Sequence, residues 1–599
     1  MKTIALKDLQ TTDGFLFEKQ KMINDVTLIS VYNRFKDTRF KAISRKNYRN
    51  VFNLPHIFWD SDLAKWLEAY AYNCHLFKNE ELDKIANDTI DGIIASQAAC
   101  GYFNSHFQRL PSFMRFTNRD KHELYCAGHL MEAAVALKIY RGDDRLLKAM
   151  DKYADYIIKR FTVKKNTSFI TPGHPEIELA LVKMHALTGD KKYLDLCTFF
   201  LDNRGYKKEK DVWYPVYAQS HAPVREQLTA EGHAVRALYL YTAMADIALI
   251  NKDEGLLKAV KSLFNDISTK KMYITAGVGS RFCGESFSYP YHLPNDIAYA
   301  ETCASIALAM FCQRLSLLEA DSTYQDVLER AFYNGCLSGI SRSGKGFYYV
   351  NPLELDVKDA EYTKKENLKR DTPDIERQEV FSCSCCPPNI ARLIADFNEY
   401  AFTYDDDTLF VNQYLSQKTL KAFNGISVDM TSGFPYDGKV TIKISGNGKL
   451  ALRIPAWAEN AKIDLNGQNV KIETVKGYLF INVKDGDVIN CDFPMKVVKV
   501  YANKKVHSDA GKIALCYGPL VLAAQSEEAQ ALEFASVGDI NEAVVNVSDG
   551  KLQIKVPVTE YENDDLYFTK PKEKTTFLTF VPYFDWGNEW QKTNMRVWF

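Results

Sequence analysis

Three stretches of this chain repeat one another, and a repeat constrains a fold more tightly than any overall composition does. They are AGHLMEAAVALKIYRGDDRLLKAMDKYADYI from Ala127, PGHPEIELALVKMHALTGDKKYLDLCTFFL from Pro172 and EGHAVRALYLYTAMADIALINKDEGLLKAV from Glu231. Each runs Gly-His, apolar helix, polar turn, amphipathic helix, so the unit is a helical hairpin of roughly 40 to 60 residues per repeat. A fourth hairpin follows at YAETCASIALAMFCQRLSLLEADSTYQDVLERAFYNGCL. Such hairpins either stack as an open solenoid or close into a ring of inner and outer helices. The Gly-His pair sits at the same place in each repeat, the start of the first helix. Closure would therefore gather His129, His174 and His233 at one mouth, and a closed ring is the expectation. Taken singly, each histidine reads as a helix-start residue satisfied by backbone.

The helical pattern runs from about residue 60 to 400. After about residue 405 the texture changes to short alternating runs such as DTLFVNQYL, KVTIKISG, KLALRIPAW and GYLFINV, separated by Gly, Asn and Asp turns. The expected organisation is mainly α followed by β: a helical catalytic domain over 1–404 and a β-sandwich region, one sandwich or two, over 405–599. The first sixty residues could pack against either part, and about the first 20 of them on the β-domain. Two or more domains also follow from length, since 599 residues exceed what one hydrophobic core supports.

Charge and hydropathy exclude some classes of partner. The 75 basic and 76 acidic residues leave a net charge of -1, so no basic field attracts a phosphate backbone, and nucleic acid is not expected. No run approaches the roughly 20 apolar residues that a membrane helix needs. The N-terminal MKTIALKDLQTTDGFLFEK lacks the apolar segment of a signal peptide, which makes a cytoplasmic location the expectation.

Thirteen cysteines in so long a chain are too sparse for a disulfide scaffold, and three of them cluster at Cys383, Cys385 and Cys386 in FSCSCCPPNIARL. Upstream, YAETC sets Glu301 and Cys303 two apart. One carboxylate and three thiolates could meet at a single ion, and zinc accepts that mixed set where calcium and magnesium reject sulfur. Buried apolar thiols and a purely structural zinc site are the competing readings. Adjacent ligands are awkward for a closed structural site, which leaves room for one thiolate to act otherwise. Glu285, in the Gly- and aromatic-rich RFCGESFSYP, could protonate a leaving oxygen and later activate water if it faces that thiolate; otherwise it is a solvated loop carboxylate.

With FWDSDLAKWLEA, HELYCAGHLMEAA, GHPEIELALVK, EGHAVRALYLY, GESF, YAETCA, YNGCLSGI, CSCCPPNIARL and ALCYGPLVLA, the chain resembles glycoside hydrolase family 127, the β-L-arabinofuranosidases, over nearly its whole length. The resemblance implies an (α/α)6 barrel followed by β-sandwich domains. It implies zinc held by Glu301, Cys303, Cys385 and Cys386, with Cys385 as nucleophile and Glu285 as acid/base of a retaining double displacement. It further implies sugar contacts from His174, His233, Tyr349 and one of His122 and His129. The expected substrate is an oligosaccharide or glycoconjugate carrying β-linked L-arabinofuranose. Other readings stay open: a same-family hydrolase of a carboxylated deoxy sugar of pectin, a sugar epimerase or uronide hydrolase on the same barrel, or a sugar-binding protein with structural zinc. A homodimer through the β-region is an expectation from fold analogy alone.

Overall fold

The computed structural model describes residues 1–43, 54–206, 214–366, 374–379, 383–527, 532, 535–562, 565–588 and 592–599. Among these residues, six helices form an inner layer: Trp59–Leu76, Glu123–Ala136, Ile177–Thr188, Ala234–Asn251, Thr302–Leu318 and Cys386–Asp396. Each packs on the next, and the sixth packs on the first, so the ring closes. Every residue of Glu123–Ala136 is buried, as expected for a helix enclosed on all sides. The outer helices are one-sided. Arg145–Ile158, for example, buries Leu146, Ala149, Met150, Tyr153, Ala154 and Ile157, the spacing of a single helical face.

The polar turns of the repeats do the local work of starting and stopping helices. Asn79, Asp190, Asp253 and Asp321 accept backbone N–H bonds at the starts of four outer helices. Gly142 and Gly189 take left-handed backbone at the end of two inner segments, where a residue with a β-carbon is strained.

The sixth hairpin is not continuous in sequence. The helices Gly14–Met22 and Leu28–Phe35 near the N-terminus pack outside Cys386–Asp396. Gln20 Nε2 bonds to the carbonyls of Ile394 (3.1 Å) and Ala395 (3.3 Å) and to Asn398 Oδ1 (2.6 Å). It thereby satisfies carbonyls that the end of that helix would otherwise leave unpaired.

The barrel axis carries an ionic knot. Arg392 Nη1 lies 2.7 Å from Glu68 and 2.8 Å from Glu132, and its Nη2 bonds to Tyr239 Oη at 3.1 Å. Lys183 Nζ bonds to Glu132 at 2.5 Å. These residues come from the first, second, third, fourth and sixth inner helices, so one buried network ties most of the ring together.

Three sheets follow among the described residues. The first has six strands and the second seven, and alternating burial along Ile426–Ser432 and Lys439–Gly446 marks one packed face. The N-terminal strands Lys2–Thr3 and Leu9–Thr11 join these sheets by pairing with Phe402–Tyr404 and Gln417–Thr419. The third sheet has nine strands and is built around the long hairpin Lys551–Glu562 and Lys572–Pro582. Within it, Asn594–Arg596 pairs with Glu354–Leu355 from the helical region, which pins that sheet to the barrel.

Candidate active site

The N-terminal ends of five inner helices bring the chemistry to one end of the ring. His122 caps Glu123–Ala136, His174 stands three residues before Ile177–Thr188, and His233 caps Ala234–Asn251. Glu301 caps Thr302–Leu318, and Cys385 caps Cys386–Asp396. Pro387 and Pro388 occupy the first turn of that last helix, where a missing N–H costs no intrahelical bond.

Glu301, Cys303, Cys385 and Cys386 each offer a ligand atom, and these atoms all lie within 4.8 Å of one another. The sulfur separations are 3.4 Å for Cys303 to Cys386, 3.8 Å for Cys303 to Cys385 and 3.9 Å for Cys385 to Cys386. Glu301 Oε1 stands 3.6 Å from the Cys385 sulfur and 3.7 Å from that of Cys386. Two helix N-termini converge here, and their partial positive charge favours thiolates. Burial alone raises the Cys303 thiol, but bonding to Cys385 and Cys386, with Lys65 nearby, outweighs it and brings the group to about 6. Burial and the neighbouring anions push Glu301 and Cys386 well up instead. Glu301 and Cys386 are thus held against ionisation by burial and by their neighbours, and a cation beside them would offset that opposition.

Glu285 stands at the tip of a tight hairpin with φ at 51°, a left-handed conformation that costs a non-glycine residue energy. Its backbone is held on both sides: its N–H donates to Phe282 O at 2.8 Å, and its carbonyl accepts from Ala234 N at 2.9 Å. His233 Nε2 lies 2.9 Å from the Glu285 carboxylate. His233 Nδ1 accepts the Val235 N–H at 3.2 Å, so the ring proton belongs on Nε2 and is donated to Glu285. Burial tends to raise the Glu285 carboxyl, yet the bonds from His233 and Tyr299 outweigh it and hold the group below its ordinary value.

His122, His174 and His233 stand in a row, with ring centroids 5.9 Å and 5.6 Å apart. Burial lowers His174 far below its usual value and brings His122 to about 3, with Arg236 adding to both effects, so these imidazoles are neutral. His174 Nδ1 lies 2.8 Å from Pro175 O and donates to it, leaving Nε2 as an acceptor. Tyr349 Oη lies 3.6 Å from the Cys385 sulfur and 3.8 Å from that of Cys383.

His129 is elsewhere, which corrects the reading of three histidines in register. Its helix begins at Glu123, so Gly128-His129 falls inside the helix, and His129 is fully buried between Glu132 (3.3 Å) and Glu176 (3.1 Å). Gly128 is there for close approach: a β-carbon on it would lie 1.5 Å from the Glu176 carboxylate. The residue equivalent to His174 and His233 is His122. Sequence reading also passed over Lys65, fully buried and bonded to Tyr125 Oη at 2.7 Å, and Tyr299 beside Glu285. The signal for Lys65 was a lone cation inside the otherwise apolar LAKWL.

Comparison with known proteins agrees along the whole chain. Residues 8–399 match the family described as Beta-L-arabinofuranosidase, GH127 catalytic domain; residues 408–495 match its middle domain, and 497–599 the Glycoside hydrolase family 127 C-terminal domain. The chain belongs to glycoside hydrolase family 127. Within family 127, it is 35% identical to the non-reducing end beta-L-arabinofuranosidase of Bifidobacterium longum subsp. longum, over 90% of this chain and 89% of that protein. The crystal structure of a GH127 beta-L-arabinofuranosidase from Geobacillus stearothermophilus T6 is similar at a TM-score of 0.90 and 37% identity, covering 98% of this chain and 99% of that one. A second solved GH127 beta-arabinofuranosidase gives a TM-score of 0.89 at 31% identity, covering 100% of this chain and 97% of that one. Among the described residues no helix is long and apolar enough to cross a membrane.

Proposed function

We propose that this family 127 glycosidase releases β-linked L-arabinofuranose from non-reducing ends, with Cys385 as nucleophile, Glu285 as acid and base, and zinc on Glu301, Cys303, Cys385 and Cys386. The observation that carries the reading is the shape of the ligand set. Tetrahedral zinc with bonds of about 2.3 Å to sulfur and about 2.0 Å to oxygen sets its ligands about 3.8 Å apart for two sulfurs and about 3.5 Å for sulfur and oxygen. The separations found, 3.4 to 3.9 Å and 3.6 to 3.7 Å, are those of such a set. When bound, zinc would hold these thiols deprotonated at neutral pH.

The residues then divide the reaction. In the first step the Cys385 sulfur forms a bond to the anomeric carbon as the glycosidic C–O bond breaks, and Glu285 gives its proton to the departing oxygen. In the second, the Glu285 carboxylate takes a proton from water, the water oxygen attacks the same carbon, and the C–S bond breaks to return the thiolate. Two displacements retain configuration. In the histidine row, His174 keeps Nε2 to accept from a sugar hydroxyl, while His233 uses Nδ1 to accept a backbone N–H and Nε2 to hold the Glu285 carboxylate. His122 rather than His129 is the contact in this reading.

A neutral sugar is favoured over a carboxylated one. The cation acting on the histidine row, Arg236, is engaged with Gly173 O at 2.8 Å and lies over the Tyr217 ring at 4.5 Å, instead of presenting its guanidinium to a sugar acid. Hydrolysis of p-nitrophenyl β-L-arabinofuranoside beside its α-anomer tests the proposal, with metal content measured on the same sample. Release from the β-anomer that disappears in Cys385→Ala is the expected result. Full activity in that variant would transfer the reaction to histidine and carboxylate chemistry and overturn the nucleophile.

A further inference from the structure

We infer that Phe282 forms the binding platform for the leaving group, a subsite for the second sugar ring next to Glu285. The inference rests on the proposed roles of Cys385 and Glu285 and extends them outward. Three aromatic rings stand in file from the nucleophile to the surface. Tyr349 lies against the Cys385 sulfur. Tyr299 packs on it with centroids 6.1 Å apart and gives its hydroxyl to Glu285. Phe282 meets Tyr299 edge-on, with centroids 5.4 Å apart and planes at 88°, and leaves 49% of its surface exposed.

The order of the file follows the order of the bonds. The sugar to be released must sit at Cys385, and the oxygen that leaves must lie within hydrogen-bonding reach of Glu285. Whatever is attached to that oxygen therefore begins at Glu285 and extends away from the sulfur, and Phe282 is the exposed ring in the same turn as Glu285. Phe282 is also fixed to the acid itself, since its carbonyl accepts the Glu285 N–H at 2.8 Å in the same hairpin turn. Arg281 and Ser286 close that turn with paired backbone bonds of 3.1 and 3.0 Å, so the ring has a defined place. An exposed phenylalanine standing alone needs no explanation. One held by a backbone bond beside the proposed acid/base, with about half its surface exposed, offers an apolar surface on which the C–H face of a sugar packs.

The test compares two leaving groups on one enzyme: methyl β-L-arabinofuranoside, and a disaccharide in which the same sugar is linked to a second pentose. For Phe282→Ala, the ratio of kcat/KM for the disaccharide to that for the methyl glycoside should fall about tenfold, carried by KM, and Phe282→Tyr should restore it. An unchanged ratio, or an equal loss on both glycosides, would overturn the subsite while leaving the proposed function standing. Failure of the unsubstituted, metal-loaded protein to cleave either glycoside would overturn the proposed function and the subsite together.

Discussion

Two of the clusters of ionisable groups buried in the barrel are built on different plans. On the axis, Glu68 and Glu132 are matched by Arg392 and Lys183, each pair within hydrogen-bonding distance, while burial and the neighbouring Glu132 push the Glu176 carboxyl well up. At the helix N-termini, Glu301, Cys303, Cys385 and Cys386 stand together as four acids. Internal pairing marks a structural device, because nothing further is needed to hold its charges in place. Four acidic side chains with ligand atoms within 4.8 Å of one another, by contrast, form a group that could hold a cation. The presence or absence of matching basic groups is what distinguishes the two clusters.

Substitutions can break that comparison, and the largest effects belong to the reacting atoms. Cys385→Ala and Glu285→Gln should each lower kcat by about 10³-fold or more while thermal unfolding stays close to that of the parent. A variant within tenfold of the parent enzyme would remove its residue from the reaction. Next come the ligands that do not react. Cys303→Ser and Cys386→Ser should lose zinc by elemental analysis, and with it activity, and a chelator should do the same to the parent protein. Full metal content in either variant would break up the proposed tetrahedron.

The knot should answer differently. Arg392→Met leaves two buried carboxylates with one cation fewer, which should cost about 3–5 kcal/mol of stability. Zinc content per folded molecule should nonetheless hold. Loss of metal at unchanged stability would mean the two clusters are one. The smallest effects sharpen the histidine assignment: His122→Ala should lower kcat/KM by roughly tenfold at little cost in Tm, whereas His129→Ala should lower Tm first. A reversed pattern, with His129→Ala acting on KM alone, would restore His129 to the pocket.

Much of this was legible beforehand. The change from helical to strand periodicity near residue 405 is where Phe402–Tyr404 and Thr408–Val411 open the β-region. The cluster of Glu301, Cys303, Cys385 and Cys386 was legible as a candidate because vicinal thiols followed by two prolines, and a Glu-x-Cys before an apolar helix, stand out in the sequence. His129 was misplaced because a Gly-His pair looks the same at a helix start and at a point of close helix packing. Only the position of Glu176 tells which reason put Gly128 there.

The sequence by itself determined the helical hairpins, the capped turns between them, the β-region and the residue types of the candidate metal cluster, since these depend on periodicity and on chemistry local to a few residues. Only the tertiary structure decided what lies far apart in the chain. It supplied the sixth outer layer from residues 14–35, turned Gln20 onto the end of the last inner helix, and set Cys303 3.4 Å from Cys386 across 83 positions. It also set Arg392 and Lys183 against Glu68 and Glu132, and gathered Glu301, Cys303, Cys385 and Cys386, which have no such basic partner bonded to them among the described residues. Local pattern cannot do this, because the field at a buried group is a sum over every charge the fold brings near it.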